Sequence, residues 1–518
     1  MKSSLTKVVA ILLVMMLTLS LTACGNGNAA EPEKSAGSAG SESAAQSGGN
    51  EAAPVEDPKV TEFKTIKWIM PGEENETWRD FIDNELNPKL KQEINAELEI
   101  TYSPWSEYFN KIDLVMTSGQ QIDIAWHGPQ GVQLWYAKKT ILRIDDLLSK
   151  YGTDLVKANP TDKWKHVKIN GEILAVPTNT PTSENFGTLC VRQDLLEKAG
   201  MTDLKTVEDV TAFAMKLQEQ NLSTNPFVAN SYKPYIRMME GSLSVDLGLL
   251  NNWFYVDESS ADDKVYSYYE SEAFKEFCRL TRDWNQKKLI PEDFLTNQDE
   301  LGRMNTGKSA IWTGAITRDM EQQASLTANV PEGIYQEYLL YPEKPKYVIT
   351  GGSNVFVIPA TSAAPEKAMM FLNWVYKNQE NYDFIVLGTK GKHYELTENG
   401  RAKVLAKESM FYEWMFRNVA YMRFPDNISD AVVDRIKDWD NDAKFSKLFG
   451  FNFDQTPVKA EVARMQSVIT EKLSPIQYGY LDYDTNIEKA LADLKNAGSD
   501  KVLAELQSQF SKWYAENK

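Results

Sequence analysis

The amino-acid sequence predicts an α/β protein with parallel-rich sheets, divided into two lobes or more. Segments with the two-residue alternation of β-strands are followed by longer segments with helical periodicity, and this order repeats along the chain. The chain of 518 residues is also longer than one hydrophobic core usually supports. These two observations together predict an α/β fold with more than one core.

The first predicted elements form a strand–helix–strand unit. TIKWIMPG (65–72) and AELEITYSP (96–104) alternate apolar and polar residues, and a helical stretch at 77–93 lies between them. QIDIAWHGP gives a third, short apolar strand that ends in a Gly-Pro loop. VKINGEILAVP is predicted to be a hairpin with its turn at Asn170-Gly171. A two-residue hairpin turn of type I′ needs a positive φ at both central positions, and Asn followed by Gly is a preferred pair there.

The predicted helices are bounded by residues that cap or stop them. Thr206 is placed to cap one helix, and Gly200 ends another. The predicted helices cover 194–199, 206–220, 271–287 and 365–377, and the C-terminal segment is mostly helical as well. Three tryptophans in helical patterns, Trp284, Trp374 and Trp513, are predicted to lie in the core.

The N-terminal segment has the pattern of a bacterial signal peptide, here 1–23. Two lysines precede an apolar run at 8–21, which is too short to span a bilayer. The ending LTAC resembles a lipobox, which implies diacylglycerol on the Cys24 sulfur; an unlipidated secreted protein is the alternative. Residues 24–60 are rich in small and polar residues and are predicted to be a flexible linker. We therefore expect a lipid-anchored protein on the extracytoplasmic face of the cell membrane.

The composition excludes several classes of function. A formal net charge of −17 disfavours nucleic acid and anionic lipid as partners. Besides Cys24, only Cys190 and Cys278 remain, and they form either one disulfide or two buried thiols. The three histidines lie far apart and there is no H-E-x-x-H motif. The sequence therefore predicts no metal site and no cofactor.

The segment GRMNTGKS (302–309) has the spacing of a nucleotide-binding P-loop but lacks its context. A P-loop is the turn between a buried strand and a helix. The preceding PEDFLTNQDEL is polar, and the following AIWTGAI has the character of a strand. We predict that this segment is an element of the fold and does not bind nucleotide.

Several segments resemble, in order and approximate spacing, those of the extracellular solute-binding proteins of bacterial ABC importers, the maltose-binding-like group (family 1). They are AKKTILRIDDLLSKYG, INGEILAVPTNT, VRQDLLEKAGM, NTGKSAIWTGAI and PEKAMMFLNWV. GFNFDQTPVKAEV, near residue 450, resembles the C-terminal domain of unknown function in one lipoprotein branch of that group. One departure is Leu174, which stands where the family often has an aromatic residue.

The resemblance implies a type II periplasmic-binding-protein-like fold, with two α/β lobes, a ligand cleft between them and a helical C-terminal segment. The implied boundaries are a solute-binding domain at 61–445, with crossing hinge segments, and a helical domain at 446–518 packed on the lobes. The implied function is capture of an oligosaccharide by lobe closure and its delivery to the permease subunits of an ABC importer. The protein is expected to be a monomer and not an enzyme.

The candidate ligand-binding residues are aromatic and charged side chains close to the ends of predicted elements. Ligands of open α/β sheets bind at the carboxyl ends of strands, and sugars stack on aromatic rings while their hydroxyls need polar partners. The predicted set is Glu73, Glu74, Trp105, Trp126, His127, Arg192, Tyr235, Arg237, Trp253, Trp312 and Trp414.

Other functions stay open at the level of sequence. A surface-anchored glycoside hydrolase needs two carboxylates about 5 to 10 Å apart across a cleft, which a sequence does not reveal. A peptide-binding importer component needs extended backbone pairing with its ligand, for which we find no signal. An adhesin would bind polymer without lobe closure.

Overall fold

The computed structural model describes residues 61–517, apart from gaps at 166, 182, 185–187, 224, 228–242, 245–252, 294, 296–299, 314–315, 349–353 and 407–410. The predicted signal peptide, Cys24 and the linker therefore lie outside the described residues, as do Tyr235 and Arg237. Among the described helices, none combines the length and the hydropathy that a membrane-spanning segment needs.

The strands, in chain order, are β1 (Lys64–Pro71), β2 (Ala96–Ser103), β3 (Ile124–His127), β4 (Lys168–Ile169), β5 (Glu172–Ile173), β6 (Val176–Pro177), β7 (Ser183–Glu184), β8 (Thr188–Arg192), β9 (Leu243–Ser244), β10 (Phe254–Asp257), β11 (Val265–Ser267), β12 (Ile311–Thr313), β13 (Tyr335–Leu339), β14 (Tyr347–Val348), β15 (Val355–Val357), β16 (Tyr394–Leu396), β17 (Ala402–Val404) and β18 (Lys444–Phe445).

The α-helices are α1 (Glu76–Phe81), α2 (Asn87–Ile94), α3 (Trp105–Ser118), α4 (Pro129–Ala137), α5 (Asp145–Tyr151), α6 (Thr153–Ala158), α7 (Thr161–Lys165), α8 (Gln193–Lys198), α9 (Val207–Glu219), α10 (Glu272–Gln286), α11 (Glu300–Asn305), α12 (Arg318–Asn329), α13 (Pro365–Val375), α14 (Gln379–Leu387), α15 (Glu413–Phe416), α16 (Asp430–Asp438), α17 (Lys459–Val468), α18 (Ser474–Gln477), α19 (Tyr483–Ala497) and α20 (Ser499–Asn517). Two π-helical segments, Ile82–Leu86 and Ile469–Leu473, and two 3₁₀ segments, Tyr268–Glu270 and Thr456–Val458, complete the helical elements.

The first lobe is built on a five-stranded sheet in the order β2-β1-β3-β15-β6. β1 runs parallel to β2 and β3, whereas β15 is antiparallel to both β3 and β6. The carboxyl ends of β1, β2, β3 and β6 therefore share one edge of the sheet. Its core includes Trp68, whose ring stacks on Phe411 with 5.7 Å between ring centroids, and this core draws on residues from 66–176 and 355–416.

A second core defines the other lobe, around the antiparallel sheet β12-β8-β13. Phe227 stacks on Trp284 with 4.6 Å between ring centroids, and the Trp284 indole Nε1 donates to Thr211 Oγ1 at 2.9 Å. This core draws on residues from 189–340. Trp284 and Trp374 are both buried, as predicted, and Trp513 is half-buried.

Three crossing segments meet in the small sheet β18-β14-β7. β7 lies on the chain between β6 of the first lobe and β8 of the second, and β14 lies on the return from β13 to β15. β18 pairs with β14 in parallel. Three short strands, β7, β14 and β18, therefore lie together at the connection between the lobes.

The C-terminal helices share a core with β10 and β11. This core contains Trp253, Phe274 and Phe510, which are all buried. Gly479, with φ of +72°, lies so close to the backbone of Thr281 in α10 that a Cβ there would clash with it. The C-terminal helices are thus packed closely on the second lobe.

The individual elements confirm most of the local predictions. Asn170 and Gly171 both have positive φ, 53° and 83°, at the tip of the β4–β5 hairpin. Thr206 caps α9 in a reciprocal capping box with Asp209. In the GRMNTGKS segment the order is helix α11, turn and strand β12, which is the reverse of a P-loop. Cys190 and Cys278 are both buried free thiols.

Glu337 on β13 is a buried carboxyl next to Cys190 of β8, with no hydrogen-bond partner for either carboxyl oxygen among the described residues. Burial raises the pKa of Glu337 well above its ordinary value, and the charge of Asp319 raises it further. The charges of Arg435 and Arg318 oppose this shift only in part. A carboxyl with a raised folded-state pKa takes up a proton when the chain folds. Stability is therefore lost as the pH rises from the unfolded pKa towards the folded one.

Glu337→Gln should remove this pH-dependent loss of stability. The loss amounts to about 1.4 kcal/mol per pH unit between the unfolded-state and the folded-state pKa of Glu337. We expect the variant to gain stability relative to the parent chain as the pH is raised from 4.5 to 8, measured by denaturant unfolding. A parallel pH dependence for the two proteins would show that Glu337 is ionised in the folded state.

Candidate ligand-binding site

Four aromatic side chains, Trp105, Trp126, Tyr412 and Trp414, meet at the carboxyl edge of the first-lobe sheet; we call them the aromatic cluster. Trp105 begins α3 directly after β2, Trp126 lies in β3, and the other two lie at α15. Ring centroids are 5.8 Å apart for Trp105 and Trp126, 5.2 Å for Trp126 and Trp414, and 5.3 Å for Tyr412 and Trp414. The cluster is therefore a continuous aromatic surface.

The members of the cluster differ in exposure. Trp105 is 42% exposed, whereas Trp126 is 6% exposed and forms the base of the cluster. Tyr412 and Trp414 are half-buried. Because aromatic faces bind the C–H faces of sugars, the surface that is open to a ligand is provided mainly by Trp105, Tyr412 and Trp414.

Polar contacts fix the cluster from behind. The Trp126 indole Nε1 donates to Asn354 Oδ1 at 3.1 Å, and Asn354 Nδ2 donates to the Trp414 carbonyl at 3.1 Å. Gly72, with φ of +106°, closes β1 so near to Tyr412 that a Cβ would clash with the tyrosine hydroxyl. Asn354 and Tyr412 were missed in the sequence, because their partners are distant in the chain.

His127 lies behind the cluster and does not form part of its exposed surface. Its ring packs edge-on against Phe109 and Trp135, at centroid distances of 5.1 and 5.0 Å. Burial lowers the pKa of His127, and the hydrogen bond to the Gly128 carbonyl, 3.1 Å from Nδ1, only partly opposes this shift. The imidazole is therefore neutral at pH 7.

The two predicted glutamates follow β1 at the same edge of the sheet. Glu74 pairs with Arg79, whose Nε donates to the carboxylate at 2.9 Å, and this bond holds the pKa of Glu74 below its usual value. Glu73 is exposed. Burial and the charge of Glu74 raise the pKa of the Tyr102 hydroxyl. Two carboxylates thus follow β1 at the same edge of the sheet as the aromatic cluster.

Three of the predicted residues lie elsewhere. Arg192 is 4% exposed at the carboxyl end of β8. Its Nε and Nη2 donate to the two carboxylate oxygens of Asp194, both at 2.7 Å. Trp312 is buried in the second lobe beside Cys190. Trp253 lies in the core shared with the C-terminal helices.

The structure therefore brings together Trp105, Trp126 and Trp414, with His127 behind them and Glu73 and Glu74 at the same edge. It does not bring Arg192, Trp253 or Trp312 to this cluster. Within the described part of the chain, no group of three or more His, Cys, Asp or Glu side chains is arranged to hold a metal ion.

Comparison with known proteins gives two family matches. The family described as "Bacterial extracellular solute-binding protein" matches residues 87–389. A domain of unknown function, DUF3502, matches residues 447–515. Both matches agree with the resemblance described for the sequence.

One curated relative and one solved protein are similar over nearly the whole chain. A carbohydrate ABC transporter substrate-binding protein of Streptococcus pneumoniae serotype 4 is 27% identical, over 98% of this chain and 97% of its own. The N-glycan transport solute binding protein (NgtS) of S. pneumoniae is 23% identical with a TM-score of 0.74, over 88% of this chain and all of its own. In the structure of NgtS in complex with Man1GlcNAc, the chain is 24% identical to this one with a TM-score of 0.71. The match covers 87% of this chain and 100% of that one.

These similarities confirm the predicted fold class, a two-lobed type II periplasmic-binding-protein-like fold with a cleft between the lobes and a helical C-terminal segment. The prediction that the chain is not an enzyme is also confirmed, because the matching family and the relatives are solute-binding proteins.

Proposed function

Because the chain belongs to the bacterial extracellular solute-binding proteins, we propose that it captures an oligosaccharide between its lobes and delivers it to the permease subunits of an ABC importer. The observation that carries this proposal is the aromatic cluster. Three tryptophans and a tyrosine at one sheet edge offer stacking surface for sugar rings, and Glu73 and Glu74 offer acceptors for sugar hydroxyls.

Lobe closure provides the signal that such a protein needs. Ligand contacts on both lobes favour the closed form, and a permease then distinguishes a loaded protein by its shape. The aromatic cluster supplies the contacts of the first lobe. Tyr235 and Arg237, which lie outside the described residues, remain our further candidates from the sequence.

We propose a neutral or weakly charged oligosaccharide as the ligand. NgtS is solved in complex with Man1GlcNAc, and this class of sugar is the first to test. The net charge of −17 disfavours anionic polymers. A peptide ligand is the second candidate, which the sequence left open.

We also propose that the protein is a monomer held at the membrane by acyl chains on Cys24. The linker of residues 24–60 would then give the domain a reach of about 30 to 35 Å from the membrane. The proposed domains are 61–445 for solute binding and 446–518 for the helical C-terminal domain.

The test is a calorimetric titration of the purified chain with Man1GlcNAc, kestose and a tetrapeptide, together with the shift in melting temperature. A ligand that binds only the folded state raises the apparent stability in proportion to the logarithm of its concentration. We expect heat and a thermal shift with at least one saccharide. Binding of the tetrapeptide without binding of any saccharide would contradict the proposal.

A further inference from the structure

Arg417 is a buried cation at the junction of the two lobes. It follows α15 in the chain segment that also carries Tyr412 and Trp414, and Phe416 beside it belongs to the core of the first lobe. Arg417 is only 5% exposed. Its guanidinium therefore depends on protein partners for its hydrogen bonds.

Two of its three side-chain partners come from the other lobe. Arg417 Nη2 donates to Glu321 Oε1 at 2.9 Å, and Nη1 donates to Thr317 Oγ1 at 3.0 Å. Glu321 lies on α12, and Leu326 of the same helix packs with Cys190 of the second lobe. The remaining partner, Glu413 at 2.6 Å from Nη2, belongs to the segment of Arg417 itself.

The contact continues into the second lobe through Glu321. Arg318, one turn before it, pairs with Glu321 at 3.4 Å, and its guanidinium lies 4.6 Å from the centroid of the Trp312 ring. Burial alone would raise the pKa of Glu321, but the charges of Arg417 and Arg318 hold it below its ordinary value. Glu321 is thus a carboxylate shared by one arginine from each lobe.

We propose that the Arg417–Glu321 pair couples ligand stacking on the aromatic cluster to the orientation of the second lobe. A sugar held by Tyr412 and Trp414 fixes the turn that ends in Arg417, and Arg417 in turn fixes α12. If the lobes separate here, a buried guanidinium loses its second carboxylate, which is unfavourable. Arg417 is therefore a positioning residue that does not touch the ligand. This inference rests on the proposed function.

Glu321→Gln tests the coupling, because it removes the charge on the second lobe and leaves Glu413 in place. We expect Man1GlcNAc still to change tryptophan fluorescence through the first-lobe cluster, with affinity about 5- to 50-fold weaker. Lobe closure on adding the sugar should be reduced or lost. Closure is measured as the distance between spin labels at Ser149→Cys on α5 and Glu219→Cys on α9, both exposed positions.

The labelling is specific when Cys24 is replaced by Ser, because Cys190 and Cys278 are buried. Glu93→Gln is the matched control. Glu93 pairs with Lys89 at 3.2 Å inside the first lobe, and its side chain is 29% exposed against 21% for Glu321. We expect this control to close and to bind like the parent chain.

Closure and affinity of Glu321→Gln equal to those of the control would overturn the inference. Thr317→Val is a second variant, which removes the Nη1 contact and the hydrogen bond that Thr317 Oγ1 donates to Glu321 Oε1 at 2.7 Å. It keeps the charge of Glu321 and should weaken closure in the same direction, so the test stands even where Glu321→Gln does not fold. If the parent chain binds no saccharide, the proposed function fails separately. The distances between the spin labels in the ligand-free protein then test the role of the pair. Variants of Glu321 or Thr317 should broaden the distribution of these distances, whereas Glu93→Gln should not.

Discussion

Replacing Trp105 with alanine is expected to weaken saccharide binding about 10- to 100-fold, which corresponds to about 1.4 to 2.8 kcal/mol. Trp105 is the most exposed tryptophan of the aromatic cluster, at 42%. Its ring lies against Tyr412 and Trp414, at centroid distances of 5.7 and 5.8 Å. An alanine removes stacking surface from the cluster but leaves no cavity in a core, so the melting temperature of the ligand-free protein should change little.

Two further variants separate binding from stability. Leu114→Ala changes an exposed residue on the same helix, α3, and should leave both affinity and stability unchanged. Trp126→Ala should reduce both, because Trp126 is 6% exposed and bonded to Asn354, and loss of a buried tryptophan costs about 3 to 5 kcal/mol. Full affinity in Trp105→Ala, measured by calorimetry, would place the ligand elsewhere.

Replacing Cys24 with alanine is expected to abolish lipid anchoring completely. The thioether at the Cys24 sulfur is the only attachment that we propose, and an alanine offers no sulfur for it. The protein should appear in the medium or remain as an uncleaved precursor. The measurement is the fraction of protein in the membrane pellet, together with incorporation of a labelled fatty acid.

Cys278→Ala is the control for this experiment, because Cys278 is a buried thiol in the folded domain. This variant should be labelled with fatty acid and retained like the parent chain. Normal fatty-acid labelling of the Cys24→Ala variant would show that the anchor has another origin.

The sequence by itself determined the elements whose signals are local. The alternation of TIKWIMPG gave β1, and the Asn170-Gly171 pair gave the hairpin turn, since each depends on residues adjacent in the chain. Thr206 with Asp209 specified the start of α9 for the same reason. The predicted helix at 77–93 was right as a helical region, but the π-helical segment Ile82–Leu86 within it has no signal that we recognised.

Which of the predicted side chains meet was decided only by the tertiary structure. Trp126 and Trp312 look alike in the sequence, because each lies in a short apolar strand close to a turn. Trp126 meets Trp414, which is far away in the chain, whereas Trp312 packs beside Cys190 in the other lobe. The side of a sheet on which a ring lies depends on the elements that cover that sheet, and a short stretch of sequence does not encode them.

The polar partners of the site also could not be identified from the sequence. Asn354 joins Trp126 to Trp414, and Glu321 receives Arg417 across 96 positions. Many asparagines and glutamates in the chain are chemically equivalent to these. The way in which the cores of the two lobes pack around the strands β7, β14 and β18 decides which asparagine or glutamate is buried next to its partner. A buried polar side chain needs such a partner, because it has lost its hydrogen bonds to water.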